Sequence, residues 1–270
     1  MEKFRYGFLG CGNMGGTLAG LIANSVGADK VAVCDFDENK TNALKEKYGV
    51  TVLDARTLSK NCQFLVLGVK PQTMKTALSN IQAEIASRKE LVLISMAAGL
   101  TIEKICDYAG ENFIGSVIRI MPNLPCALGV GTVLYSTMGT SNTEEETFQR
   151  DFSSAGLIDK IDENVMDGAS ALSGCGPAFV YYFAESLIEG AVACGVEKEK
   201  ATAYAVQTIL GGAKMLQTGE DPATLRQKVC SPKGTTLEGI KALEDGEFKT
   251  VVSSAVQASC RRAKELQQDF

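Results

Sequence analysis

Short apolar runs recur along roughly the first 160 residues, each followed by a stretch with helical spacing. The runs are Arg5–Leu9, Lys30–Cys34, Phe64–Gly68, Leu91–Ser95, Ile114–Ile120 and Val130–Ser136. They are rich in β-branched and aromatic residues and alternate little, as expected of strands covered on both faces. The intervening stretches include Gly15–Asn24 and Glu38–Tyr48, the latter with Leu44 and Tyr48 at i, i+4 spacing. Strands alternating with helices at this spacing predict an α/β fold with a doubly wound parallel sheet.

The pattern changes near residue 162. From Asn164 onward only helical periods are found, over roughly 165–172, 177–194, 197–218, 222–229, 235–244 and 247–267. The expected organisation is therefore an α/β domain over 1–162 and an all-helical domain over 163–270. In the second, Ala178-Phe-Val-Tyr-Tyr-Phe-Ala184 is apolar nearly all round, interrupted mainly by Glu185 and Glu189. A helix of that kind is covered on several sides. A domain this small lacks the material, so a second copy of the chain is the expected cover.

The first strand runs into Gly10-Cys11-Gly12-Asn13-Met14-Gly15, which opens a helix. G-x-G-x-x-G between strand and helix is the dinucleotide fingerprint of a Rossmann domain. The first glycine permits a tight turn, the second admits the pyrophosphate, and the third packs helix on strand. Free N–H groups at the helix start favour the phosphates. Asp35, twenty residues after Gly15, ends the next strand. A carboxylate there suits a ribose 2′-OH and repels a 2′-phosphate, a lean toward NADH over NADPH. The other reading is that Asp35 or Asp37 caps the helix beginning near Glu38.

Composition narrows the chemistry. The chain has no histidine, which removes the usual dehydrogenase base, the commonest metal ligand and every Ser-His or Cys-His pair. No metal site is expected. Nine cysteines are scattered without C-x-x-C spacing, so reduced thiols of a cytoplasmic protein are expected. A net charge of −5 without a basic stripe argues against nucleic acid. Apolar stretches such as Phe64–Val69 and Leu91–Ala98 are too short to span a bilayer. The residues after Met1 lack the apolar core of a signal peptide.

Further segments mark the ends of later strands and helices. Val69-Lys70-Pro71-Gln72 follows the third strand, and Ala97-Ala98-Gly99 the fourth, its small residues leaving room for a flat ring. Then come Arg119-Ile-Met-Pro-Asn123-Leu-Pro125, Ala171-Leu-Ser173-Gly174-Cys175-Gly176-Pro177-Ala178 and Ser231-Pro-Lys233-Gly234-Thr235-Thr236. Thr235 with Glu238 fits a capping box, predicting a helix just after Gly234 whose N–H groups would receive a small carboxylate. A plain helix cap is the alternative. Gly176-Pro177 likewise reads as a helix start.

This set, in this order, resembles the pyrroline-5-carboxylate reductases over essentially the whole chain. The resemblance implies hydride transfer from NADH or NADPH to a cyclic imine, giving proline. It implies an intertwined homodimer, in some members assembled further into a decamer. Thr236 and Ser173 become the expected catalytic residues. Ser231, Gly234, Thr235, Thr236, Gly174, Gly176, Pro177 and Asn123 become the expected substrate contacts. Gly10 to Gly15, Asp35, Val69, Lys70, Pro71, Ala97 and Ala98 become the expected cofactor contacts. Cys175, Lys233 and Ala55 stand where the family usually has serine, glycine and asparagine.

Imine reduction agrees with a chain lacking histidine, because the nitrogen can take its proton from water before binding. β-Hydroxyacid dehydrogenases, the nearest alternative, usually carry G-x-G-x-x-x-K in this part of the chain. Val180 occupies the lysine position here. Other imine reductases, and a dinucleotide sensor without turnover, complete the alternatives.

Overall fold

The computed structural model describes residues 3–268. Contacts divide the chain into two compact units, Met1–Cys175 with Ser259–Phe270, and Gly176–Ala258.

The first unit is built on eight strands: β1 (Phe4–Leu9), β2 (Val31–Cys34), β3 (Thr51–Val52), β4 (Cys62–Leu67), β5 (Val92–Ser95), β6 (Ser116–Pro122), β7 (Gly131–Met138) and β8 (Gly156–Lys160). They form one sheet in the order β3-β2-β1-β4-β5-β6-β7-β8. The period of two in each strand divides its side chains between two cores. Tyr6, Phe8, Val33, Phe64, Val66, Ile94 and Ile118 enter one; Leu65, Leu67, Leu93 and Val117 enter the other. Helix α1 (Asn13–Val26) covers the first core with Leu18 and Ile22. Helices α2 (Glu38–Tyr48) and α3 (Ala55–Asn61) follow β2 and β3. Helix α4 (Pro71–Ile85) covers the second core with Met74, Leu78, Ile81 and Ile85. That spacing, with proline at the first helical position, is what an amphipathic helix on a sheet requires. Helix α5 (Ile102–Ala109) completes that layer, and Phe148 and Phe152 of α6 (Asn142–Phe152) complete the other.

The sheet departs from the all-parallel expectation in one place. β6 and β7 pair antiparallel, while every other pair is parallel. Only residues 123–130 separate them, too few for a parallel crossover. Two strands escaped the sequence pattern: β3 has two residues, and β8, Gly-Leu-Ile-Asp-Lys, is a largely exposed edge strand. Helix α7 (Met166–Ser173) also belongs to this unit.

The second unit holds α8 (Gly176–Ala193), α9 (Lys198–Leu216), α10 (Pro222–Val229), α11 (Thr235–Asp245) and the start of α12 (Phe248–Gln268). α8 packs on α9, yet only Ala201 and Ala205 of the unit's residues are buried. Tyr181, Tyr182, Val206, Leu210, Met215 and Val251 stand between 46% and 73% exposed. A single copy does not cover its own apolar side chains, which marks an interaction surface.

Candidate active site

At the carboxyl edge of the sheet β1, β2 and β4 are drawn together by their main chains. Gly10 N–H donates to Cys34 O at 2.8 Å, and Gly68 N–H to Leu9 O at 2.8 Å. Gly10 has φ +102, and a Cβ there would lie 2.6 Å from the Gly68 carbonyl carbon. A Cβ on Gly15 would lie 2.2 Å from Gly10 O, whereas one on Gly12 would meet nothing within 4 Å. The turn is closed toward the protein and open at Gly12. Gly12 is also the N-cap of α1, without a side-chain cap or an acidic residue in the first turn. Its free N–H groups and positive dipole end therefore suit a pyrophosphate. The residues fit a dinucleotide.

Asp35 faces this turn rather than solvent. Its Oδ2 accepts Cys11 N–H at 2.6 Å and its Oδ1 accepts Asp37 N–H at 3.0 Å. Asp37 is the N-cap of α2, accepting Asn39 N–H at 3.1 Å. So capping falls to Asp37. The Cys11 thiol is buried, and burial with the nearby Asp35 charge pushes its pKa up to about 12. It is a packing group rather than a nucleophile.

The other expected cofactor residues lie along the same edge. Lys70 is the N-cap of α4 and Pro71 its first residue, directly after β4 and Val69. After β5, Ala97 is buried, Ala98 exposed, and Gly99 has φ +79. A Cβ on Gly99 would lie 3.1 Å from the backbone of Leu266 in α12, so the last turns of that helix form the floor of the Ala97–Gly99 turn.

The structure brings Asn123 and Ser173 together. Asn123 follows β6, its Nδ2 donating to Ser173 O and its Oδ1 accepting Thr132 N–H, both at 2.9 Å. It thereby fastens the end of α7 to the β6–β7 connection. Ser173 Oγ is buried without a hydrogen-bond partner, so its bonding capacity is unused within the chain. Gly174 is exposed, its N–H donating to Ser170 O at 2.7 Å.

In the second unit, Gly176 and Pro177 open α8 as expected. The loop Ser231–Gly234 leads into α11, with Gly234 N–H donating to Ser231 O at 2.9 Å. The expected capping box is not made: Gly234 is the N-cap, without a side-chain cap, and Thr235 is already the first helical residue. Glu238 therefore sits one position beyond the box, and the start of α11 stays open beside Thr235 and Thr236. Lys233 has φ +59, left-handed backbone that glycine adopts freely.

Sequence reasoning passed over one cluster. Arg119, in the otherwise apolar β6, is wholly buried. Its Nη1 donates to Glu163 Oε1 at 2.9 Å, and its Nη2 lies 3.6 Å from Asp167 Oδ1. Glu163 Oε1 also accepts the N–H of Ile102, the first residue of α5, at 2.8 Å. Gln267 of α12 donates to Asp167 Oδ2 at 2.7 Å. The lone charge in Val-Ile-Arg-Ile was the available signal, since a buried cation requires partners.

Fold and turn together define a dinucleotide-dependent oxidoreductase of the Rossmann class. Residues 163–266 match the family model described as pyrroline-5-carboxylate reductase dimerisation. Residues 5–99 match that for NADP oxidoreductase, coenzyme F420-dependent. The chain is 34% identical to pyrroline-5-carboxylate reductase of Arabidopsis thaliana, over 99% of this chain and 97% of the plant protein. It is 39% identical to pyrroline-5-carboxylate reductase 3 of Danio rerio, over 98% and 92%. The Plasmodium falciparum pyrroline carboxylate reductase crystallised with NADP bound superposes with a TM-score of 0.87 at 32% identity, covering 99% of both chains. That from Coxiella burnetii gives 0.88 at 32% identity, covering 98% of this chain and 99% of the other. The chain belongs to the pyrroline-5-carboxylate reductase family.

Proposed function

We propose that this chain reduces 1-pyrroline-5-carboxylate to L-proline with NADH or NADPH, the last step of proline biosynthesis. The observation that carries the reading is the glycine turn, shut at Gly10 against Gly68, shut at Gly15 against the Gly10 carbonyl, and open at Gly12. Gly10 to Gly15 hold the pyrophosphate, and Val69, Lys70, Pro71, Ala97 and Ala98 line the remaining length of the dinucleotide. The reduced nicotinamide supplies the hydride that adds to the imine carbon. The free start of α11, with Ser231, Gly234 and Thr235, receives the substrate carboxylate. Thr236 Oγ1 and Ser173 Oγ hydrogen-bond at the ring, Thr236 at its nitrogen, while Gly174, Gly176, Pro177 and Asn123 shape the turn beside it.

No residue is asked to act as a strong base. The imine nitrogen is protonated before the hydride arrives, so the protein aligns the carbon and excludes water. The bare apolar side chains of α8 and α9 support a homodimer, with decameric assembly as a further step. The scattered spacing of the nine cysteines, without C-x-x-C pairs, supports a cytoplasmic setting. Mixing the protein with pyrroline-5-carboxylate and following nucleotide absorbance tests the reading. Proline should form in proportion to NAD(P)H consumed. Nucleotide binding without oxidation, or turnover of hydroxyacids alone, would refute it.

A further inference from the structure

In dinucleotide folds, the carboxylate about twenty residues beyond the third glycine reads the adenosine ribose. By position that residue is Asp35. Its geometry says otherwise. Both oxygens already accept a main-chain N–H, one from the glycine turn and one from its own loop. Its side chain is only 5% exposed. The open carboxylate of this loop is that of Asp37, 34% exposed, with Oδ1 capping α2 and Oδ2 turned to Lys40 Nζ at 3.7 Å. Lys40 Nζ also stands 3.9 Å from Asp35 Oδ1 and 5.3 Å from the centre of the Phe36 ring. Phe36 is 96% exposed, a bare aromatic face of the kind a nucleobase covers.

We infer that discrimination between a ribose 2′-OH and a 2′-phosphate is made by Asp37 and Lys40, while Asp35 is a positioning residue for the glycine turn. The inference rests on the proposal that this turn takes a nicotinamide dinucleotide. Asp37 occupies the start of α2, where a phosphate would otherwise be welcome, and opposes it by charge. Lys40, on the first turn of the same helix, is the cation placed to offset that opposition. Asp35 reaches the cofactor only through the Cys11 N–H that it holds.

The test is equilibrium binding, measured by the fluorescence rise of NADH and NADPH on titration with protein. The chain has no tryptophan to obscure it. Asp37→Ser keeps a capping oxygen and removes the charge, so it should shift the NADH-to-NADPH Kd ratio about tenfold toward NADPH. Lys40→Ala should move the ratio the other way. Asp35→Asn should weaken both dinucleotides by the same factor and leave the ratio unchanged. A larger shift toward NADPH in Asp35→Asn than in Asp37→Ser would overturn the assignment. So would an unchanged ratio in Asp37→Ser, which lies on the surface and decides the matter even if Asp35→Asn fails to fold. Wild-type protein that takes up neither nucleotide would instead overturn the parent proposal.

Discussion

Gly12 and Gly15 sit three residues apart in one turn, and their substitution by alanine should separate binding from folding. At Gly15 the new Cβ would stand 2.2 Å from the Gly10 carbonyl oxygen, against 3.4 Å or more for an ordinary contact. Backbone is on both sides, so strain is relieved only by moving helix from strand, costing about 3 kcal/mol. At Gly12 the Cβ meets nothing within 4 Å, and φ −65 with ψ −173 is extended backbone open to any residue. The gain from a stiffer unfolded chain roughly offsets the poorer cap, leaving stability within about 0.5 kcal/mol of wild type. The cofactor, however, is denied its closest approach. Losing one charge-assisted N–H contact to the pyrophosphate costs about 2 kcal/mol, or roughly 30-fold in Kd. Urea unfolding and NADPH titration of both variants measure the two quantities. Gly12→Ala protein that binds nucleotide like wild type would refute the placement of the pyrophosphate.

Three other expectations concern the rest of the molecule. Arg119→Met strips Glu163 and Asp167 of their buried cation and should cost about 3 kcal/mol, lowering Tm by about 6 to 12 °C; an unchanged melt would show the cluster to be idle. The Cys11 thiol holds its proton up to about 12 when folded but only to the ordinary 9.0 when unfolded. From pH 9 to 12 the unfolded chain thus binds fewer protons, and this group should lower stability by about 1.4 kcal/mol per pH unit. Cys11→Ala should flatten that alkaline slope in urea melts, and an unaltered slope would contradict the cause given. Finally, Tyr182→Glu puts a charge on the bare face of α8, where Tyr182 is 73% exposed. Sedimentation should then report the 28.7 kDa single chain, with wild type running at twice that mass or more.

The sheet was legible because its inner strands are continuous apolar runs. Phe64–Leu67 and Val92–Ser95 have no other sensible reading once they alternate with helices. The antiparallel turn was not, since Gly131–Met138 looks the same whichever way it runs; the shortness of residues 123–130 held the information. Likewise β8 exposes Leu157 and carries Asp159 and Lys160, so its edge position erased the hydrophobic signal. Spacing marked Asp35 as the ribose reader and left Asp35 or Asp37 as the cap, and only the direction of each carboxylate separates them. Arg119 was visible as an oddity, but its partners are 44 and 48 residues away, and no local pattern connects them.

The floor beneath the Ala97–Gly99 turn has a consequence for how the protein is made. Leu266 and Gln267 belong to the first compact unit, although the whole of Gly176–Ala258 lies between them and the rest of it. A growing chain that has released β1 through α7 has all eight strands but not the helix end that seats Gly99. Domains generally fold as units during synthesis, in order of emergence. Here the seat of Gly99 is completed only after the whole of Gly176–Ala258 has been made. A fragment cut at Cys175 would inherit that same unfinished surface.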